Sequence, residues 1–97
     1  MIKVGDKIQE LRKLNHMTAK ELAQQIDVSS PFVSAIENNS TKLSLATLYH
    51  ICEVLNVSLS EFFDEELSPI EQRLISTIKR MPDNKKRELL SFIEDVF

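Results

Sequence analysis

The 97-residue sequence is 42% hydrophobic and 28% charged, and its 12 Lys and Arg against 15 Asp and Glu leave a formal charge of −3 with a pI near 5.3. These figures exclude a disordered tail and fit one ordinary globular domain with a small appendage. A chain this short buries only about 60–65% of its unfolded surface, so a modest core assisted by self-association is expected.

A single glycine, Gly5, and three prolines, Pro31, Pro69 and Pro82, leave few of the turns that hairpins need, while Leu, Ile, Glu and Lys abound. The fold is therefore expected to be all-α. Ile8, Leu11 and Leu14 recur among Lys7, Gln9, Glu10 and Lys13 as one apolar face of an amphipathic helix over residues 6–15. Thr18 followed by Glu21 is a capping box, whose side chains satisfy free backbone N–H groups reciprocally, and it opens a second helix over residues 19–26. Asp27-Val28-Ser29 breaks the pattern, and Ser29 caps a third helix, through residue 38, with Val33 and Ile36 on one face and Pro31 in the tolerant first turn. In the polar turn Asn38-Asn39-Ser40-Thr41, Asn39 suits the left-handed conformation that ends helices.

Ser44 caps a fourth helix carrying Leu45, Leu48, Ile51, Cys52 and Leu55, and Ser58 a short fifth one with Leu59, Phe62 and Phe63. These complete a five-helix unit over residues 1–63. An acidic, solvated linker is expected over residues 64–67. Ser68-Pro69-Ile70-Glu71 is another capping box, opening a helix with Ile70, Leu74, Ile75, Ile78 and Met81, and Pro82 restarts the chain into a last helix with Leu89, Leu90, Phe92, Ile93, Val96 and Phe97. The resulting hairpin over residues 68–97 is richer in apolar positions than a pair this small can bury. It is expected to dimerise through Ile70, Leu74, Ile75, Ile78, Leu89, Leu90, Ile93 and Phe97.

Catalytic chemistry finds no home. Cys52 alone cannot form an internal disulfide or a four-ligand zinc site, and it reads as a small buried core residue in a reducing compartment. His16 and His50 belong to no ligand or nucleophile arrangement and read as surface residues, and there is no glycine-rich phosphate loop. Neither an enzyme, a metal nor a cofactor is expected. Residues 1–6 carry no long apolar run and no stretch approaches the roughly 18 apolar residues of a membrane span, so a soluble, unexported, cytoplasmic protein is expected.

Two short helices joined by a three-residue turn, with a helix before and another after, form a helix-turn-helix arrangement. The blocks Met17-Thr18-Ala19-Lys20-Glu21-Leu22-Ala23, Val28-Ser29, Val33-Ser34-Ala35-Ile36-Glu37-Asn38, Leu43-Ser44-Leu45-Ala46-Thr47-Leu48 and Val57-Ser58-Leu59 resemble the Cro and phage-repressor family, also called the xenobiotic-response-element type. The resemblance covers about two thirds of the chain and implies a lambda-repressor-like DNA-binding domain, while the C-terminal hairpin is similar to that of sporulation-inhibitor-type regulators. It implies that the third helix enters the major groove while the second lies across the backbone. Base-reading positions then fall on Ser30, Pro31, Phe32 and Ala35, with Ser34 and Asn38 nearby. Phosphate contacts fall on Thr18, Ala19 and the loop from Asn39 through Thr41 to Lys42, and exposed N–H groups opening the second and third helices, the latter capped by Ser29, are further anion donors.

Several positions depart from the family pattern. Ala19 stands where glutamine is common, and Pro31, Phe32 and Ala35 cannot make bidentate base contacts, so direct readout falls to Ser30, Ser34, Asn38 and to Phe32 against a thymine methyl. Phe32 has a second reading, as a cover for the edge of the core. Asp27 and Asn39 replace glycines at the family's turns and tolerate left-handed backbone. Arg12 and Glu37 match positions that form a structural ion pair between the first and third helices.

Charge argues the other way: residues 1–63 carry six basic against seven acidic side chains, and residues 64–97 six against eight. Lys20 and Lys42 are the cations expected beside the groove, which implies a shallow salt dependence and a need for two copies. The leading reading is a cytoplasmic prokaryotic regulator, a dimeric repressor reading paired half-sites on double-stranded DNA and nucleoid-associated when bound, with a regulatory protein partner a further possibility. The competing readings are a protein-interaction module, as an anti-repressor or adaptor, and an antitoxin built on the same fold.

Overall fold

The computed structural model describes residues 3–97 as seven helices: α1 (Val4–Leu14), α2 (Ala19–Gln25), α3 (Ser30–Glu37), α4 (Leu45–Leu55), α5 (Leu59–Phe62), α6 (Pro69–Arg80) and α7 (Asp83–Val96). No strand occurs among the described residues, so the all-α expectation holds. Five helices begin at a Ser or Thr whose side chain accepts a backbone N–H from the first turn: Thr18, Ser29, Ser44, Ser58 and Ser68. Helix α1 starts two residues earlier than expected, because Lys3 has extended backbone but no capping side chain and so leaves no mark in the sequence.

The first four helices are followed by residues with left-handed backbone: His16 (φ 55°), Asp27 (59°), Asn39 (58°) and Asn56 (62°). Asp27 and Asn39 were expected there; His16 and Asn56 were not. Each reverses the chain at a helix end, as when Asn39 and Ser40 donate N–H groups back to the carbonyls of Ile36 and Ala35.

Ile8 and Leu11 from α1, Leu22 and Ala23 from α2, Val33 and Ile36 from α3, Leu48, Ile51, Cys52 and Leu55 from α4, Val57, and Phe62 from α5 form one buried cluster. Cys52 lies inside it, and burial pushes its thiol pKa up to about 11. Helices α2 and α3 pack against each other, α1 closes on both α3 and α4, and every side chain of this core comes from residues 8–62.

The C-terminal helices follow a different rule. Helix α6 docks on α1 and α5 with a polar face: Gln72 and Ser76 are its buried residues, whereas Ile70, Leu74 and Ile78 are 50%, 53% and 37% exposed. Helix α7 buries no side chain and packs substantially on no other element, α6 included. Met81 and Pro82, both extended, join the two helices without folding them face to face. The segment 64–67, exposed over residues 64–66, is shaped as a turn: Asp64 accepts the N–H of Glu66 on its side chain (3.0 Å) and that of Leu67 on its carbonyl (3.2 Å). Among the described residues no helix is long and apolar enough to cross a membrane.

Candidate nucleic-acid interface

The local geometry of α2 and α3 follows from their caps. Thr18 Oγ1 accepts the N–H of Glu21 (3.0 Å) while the Glu21 carboxylate accepts that of Thr18 (3.0 Å). The N–H and hydroxyl of Thr18 hold the Glu21 carboxyl below its usual pKa. A consequence missed in the sequence is that this carboxylate takes up the Thr18 N–H at the start of α2 and puts negative charge beside Thr18 and Ala19, where a phosphate contact was expected. At α3, Ser29 Oγ accepts the N–H of Phe32 (3.2 Å) and Pro31 occupies the first turn, where no N–H is needed.

Val33, Ile36 and Glu37 turn inward, which leaves Pro31, Ser34 and Asn38 exposed on the opposite face of α3, with Ser30 and Ala35 at its margins. Thr18, Lys20, Ser29, Thr41 and Lys42 are exposed as well, and Ala19 is half-buried. Phe32 is also half-buried and packs against the core cluster, so part of its ring serves the domain itself.

Two devices lock α3 to α1. Arg12 Nε and Nη2 donate to the two carboxylate oxygens of Glu37 (2.7 and 3.0 Å), and Arg12 Nη1 donates to the Met17 carbonyl (2.8 Å). Glu37 is only 5% exposed, and its hydrogen bonds hold the Arg12 guanidinium above its ordinary pKa against the opposing effect of burial. The second device was not legible in the sequence. Asn39 Oδ1 accepts the Gly5 N–H and Asn39 Nδ2 donates to Asp6 Oδ1, both at 2.9 Å. The side chain of Asn39 is therefore committed to α1 and the Ser40 hydroxyl donates to the Ala35 carbonyl of α3 (3.1 Å), while Thr41 and Lys42 of the expected phosphate loop are exposed. Gly5 is required by the same approach, since a Cβ there would overlap the Ile36 carbonyl oxygen and stand 2.7 Å from both the Glu37 carbonyl and Asn39 Oδ1.

A third set of residues escaped the sequence reading. Glu61 Oε1 accepts the Ser58 N–H and the Ser76 hydroxyl, both at 2.9 Å, and Lys79 Nζ stands 3.4 Å from Oε2. Burial raises the pKa of this carboxyl, but the hydrogen bonds from Ser58 and Ser76 and the charge of Lys79 together bring it below the usual range. Gln72, fully buried, donates through Nε2 to the Glu61 and Phe62 carbonyls (2.5 and 3.3 Å). Ser58-x-x-Glu61 is a capping-box spacing, so half of this signal was available.

Of the residues expected to dimerise, Ile70, Leu74, Ile78, Leu90, Ile93 and Phe97 are exposed, while Ile75 and Leu89 are half-buried. His16 and His50 are exposed, and no group of three or more His, Cys, Asp or Glu among the described residues could hold a metal ion.

The family description "Helix-turn-helix" matches residues 8–62, the span from which the buried core is drawn. Control protein C.MunI of Mycoplasma sp is 35% identical over 65 residues, covering 66% of this chain and 88% of that protein. HTH-type transcriptional regulator PuuR of Escherichia coli (strain K12) is 27% identical over 71 residues, 73% of this chain, which spans only 38% of that protein's length. Among solved structures, the SinR protein/SinI protein complex superposes with a TM-score of 0.61 at 27% identity, covering 94% of each chain. The chain thus belongs to the helix-turn-helix family of the Cro and phage-repressor type and is a DNA-binding transcriptional regulator.

Proposed function

We propose that the protein is a dimeric repressor that reads paired half-sites, with α3 in the major groove and α2 across the backbone. The observation that carries this reading is the division of α3 into an inward face locked by the core and Arg12, and an outward face of Pro31, Ser34 and Asn38 with no other task. Ser30, Phe32 and Ala35 border that face, and Lys20, Thr41 and Lys42 supply backbone contacts. Ala19 and Ser29 contribute mainly through backbone or by shape, and Thr18 and Asn39, whose N–H groups and side chains are both engaged, by shape. The protein works in the cytoplasm, on the nucleoid when bound. No catalytic step is part of this role.

Pairing is supported by the apolar stripe of α6 and by the charge pattern of α7. Lys85, Lys86 and Arg87 outnumber Asp83 and Glu88 in the first half of α7, where Lys85 stands 3.4 Å from Glu88 and Lys86 3.9 Å from Asp83, and Glu94 and Asp95 lie in its last turns, where the helix dipole disfavours acid. In an antiparallel, two-fold pair each basic half meets an acidic end, so the pattern is complementary to a second copy of itself. Two α3 helices one turn of DNA apart are separated by about 34 Å.

The test is fluorescence anisotropy on DNA from the gene's own upstream region and on a scrambled duplex across a salt series. Preference for the upstream duplex that persists as salt rises is expected, and equal weak binding to both overturns sequence reading. With so few cations at the interface, the slope of log affinity against log salt should be only a few units per dimer, each neutralised phosphate contributing about 0.9. Leu74→Asp with Ile78→Asp should weaken pairing and DNA binding together, and full binding by a monomeric variant would sink the coupling. A second reading, control by a separate protein docking on α6 and α7, is favoured by the two-protein SinR/SinI structure that this fold matches.

A further inference from the structure

Helix α6 has its polarity inverted relative to an ordinary surface helix. Gln72, Ser76 and Lys79 form the stripe that meets the DNA-binding unit, while Ile70, Leu74 and Ile78 face outward. Helix ends normally leave their last carbonyls to water or to a cap. Here the Glu61 and Phe62 carbonyls at the end of α5 receive Gln72 Nε2, and the Phe62 carbonyl also receives Lys7 Nζ of α1 at 2.6 Å. Three helices are tied at one point, and the tie is made of directional bonds. An apolar seam tolerates sliding and rotation, whereas buried hydrogen bonds permit one register.

We propose that Gln72 and Ser76, with Lys79, act as positioning residues for half-site spacing: by clamping α6 to Glu61 and Phe62 they make it a rigid arm. A second copy docked on the outward stripe of α6 then holds the two α3 helices at one separation and one rotation. The proposal rests on the dimer reading above and adds to it that spacing is set by a buried polar clamp, far from any base. Without the clamp, α6 would be held by the turn over residues 64–67 and by its remaining packing on α1, neither of which fixes a register as the clamp does, and the arm could shift. Each base pair inserted between half-sites moves one of them by about 3.4 Å and turns it by about 35°, so a rigid arm rejects a shifted site while a loose one follows it.

The experiment selects binding sequences from a random duplex library with the full chain, and in parallel with Gln72→Met/Ser76→Ala and with the milder Ser76→Ala/Lys79→Ala, which keeps the amide. Helix content and dimer mass are checked by circular dichroism and sedimentation, and affinity for a single half-site is measured for each. The parent chain should enrich one motif twice at a single spacing and disfavour a shift of about two base pairs by roughly a hundredfold, the avidity lost when both sites cannot be engaged. The variants should keep the motif, the half-site affinity and the dimer, yet spread over several spacings, with discrimination falling below roughly tenfold. A role confined to stability would lower affinity at all spacings alike and leave that ratio unmoved. Folded, dimeric variants with the parent's single spacing overturn the proposal. A parent that enriches only unpaired motifs overturns the dimer reading, and this proposal with it.

Discussion

Replacing Gly5 by alanine tests the packing of α1 on α3, because two effects of opposite sign meet there. Inside an unobstructed helix Gly→Ala stabilises by up to about 1 kcal/mol. At this position the added methyl would overlap the Ile36 carbonyl and crowd Glu37 and Asn39, so α1 must back away from the end of α3. Such overpacking costs about 1–3 kcal/mol, and losing the Gly5 N–H bond to Asn39 adds about 1 kcal/mol. The net expectation is a loss of about 2 kcal/mol, since the propensity gain offsets part of the sum. That corresponds to a fall in Tm of roughly 8–16 °C for a domain of this size. Urea and thermal unfolding followed by circular dichroism at 222 nm measure it, at one fixed protein concentration because pairing of the kind proposed would make the midpoint concentration-dependent. Asn39→Gly separates the contributions: it keeps the backbone with φ 58° unstrained and removes only the side-chain bonds, for about 1 kcal/mol. A Gly5→Ala midpoint equal to or above the parent's would refute the steric argument.

Arg12→Met should cost about 3 kcal/mol or more, since it strands a carboxylate that is 95% buried, while Arg12→Met/Glu37→Met should cost less than the single change; a double-mutant cycle showing additivity would remove the pair from the account. Cys52, with its pKa near 11, is about 0.1% thiolate at pH 8 against about a quarter for a free thiol, so a disulfide reagent should modify it only as fast as the protein unfolds, and rapid labelling of the native protein would contradict its burial. Glu61 has a folded pKa below its unfolded value of about 4.3, so its contribution is complete above that value and is lost as pH falls through the folded pKa. Glu61→Gln should therefore flatten the acid limb of stability below about pH 4.5, and an unchanged limb would assign acid sensitivity elsewhere.

Helix starts were legible wherever a side chain performs the capping, as at Thr18, Ser29, Ser44 and Ser68, and apolar periodicity located the buried apolar side chains of α1 and α3 and, in α4, Leu48, Ile51, Cys52 and Leu55, but not Leu45, which lies in the first turn of α4 and is 66% exposed. Legibility stops where a structure depends on residues distant in sequence. Nothing around Gly5 announces that the end of α3 lies against it, and nothing around Asn39 announces that its amide reaches Asp6 rather than a loop partner. In α6 the periodicity correctly located an apolar stripe, but periodicity cannot say whether the stripe meets its own core, and here the polar stripe does. The outward face of α3 was legible for a related reason: Val33 and Ile36 claim the inside, and what remains must face out. Phe32 shows the limit, since a ring at the margin serves both sides and its sequence position does not apportion it.

Helix α7 has 14 residues and no buried side chain, near the length at which an isolated helix in water is only marginally formed. Its order in a lone protomer therefore rests mainly on its own hydrogen bonds and exposed ion pairs, and Leu90, Phe92, Ile93, Val96 and Phe97 stand open to solvent. Such a segment is a natural point of attack for proteases, and docking against another helix would remove it from their reach. If two copies pair as proposed, abundance and lifetime become linked: a paired protomer would be spared and an unpaired one exposed, so the level of the regulator would respond to its own synthesis more steeply than in proportion.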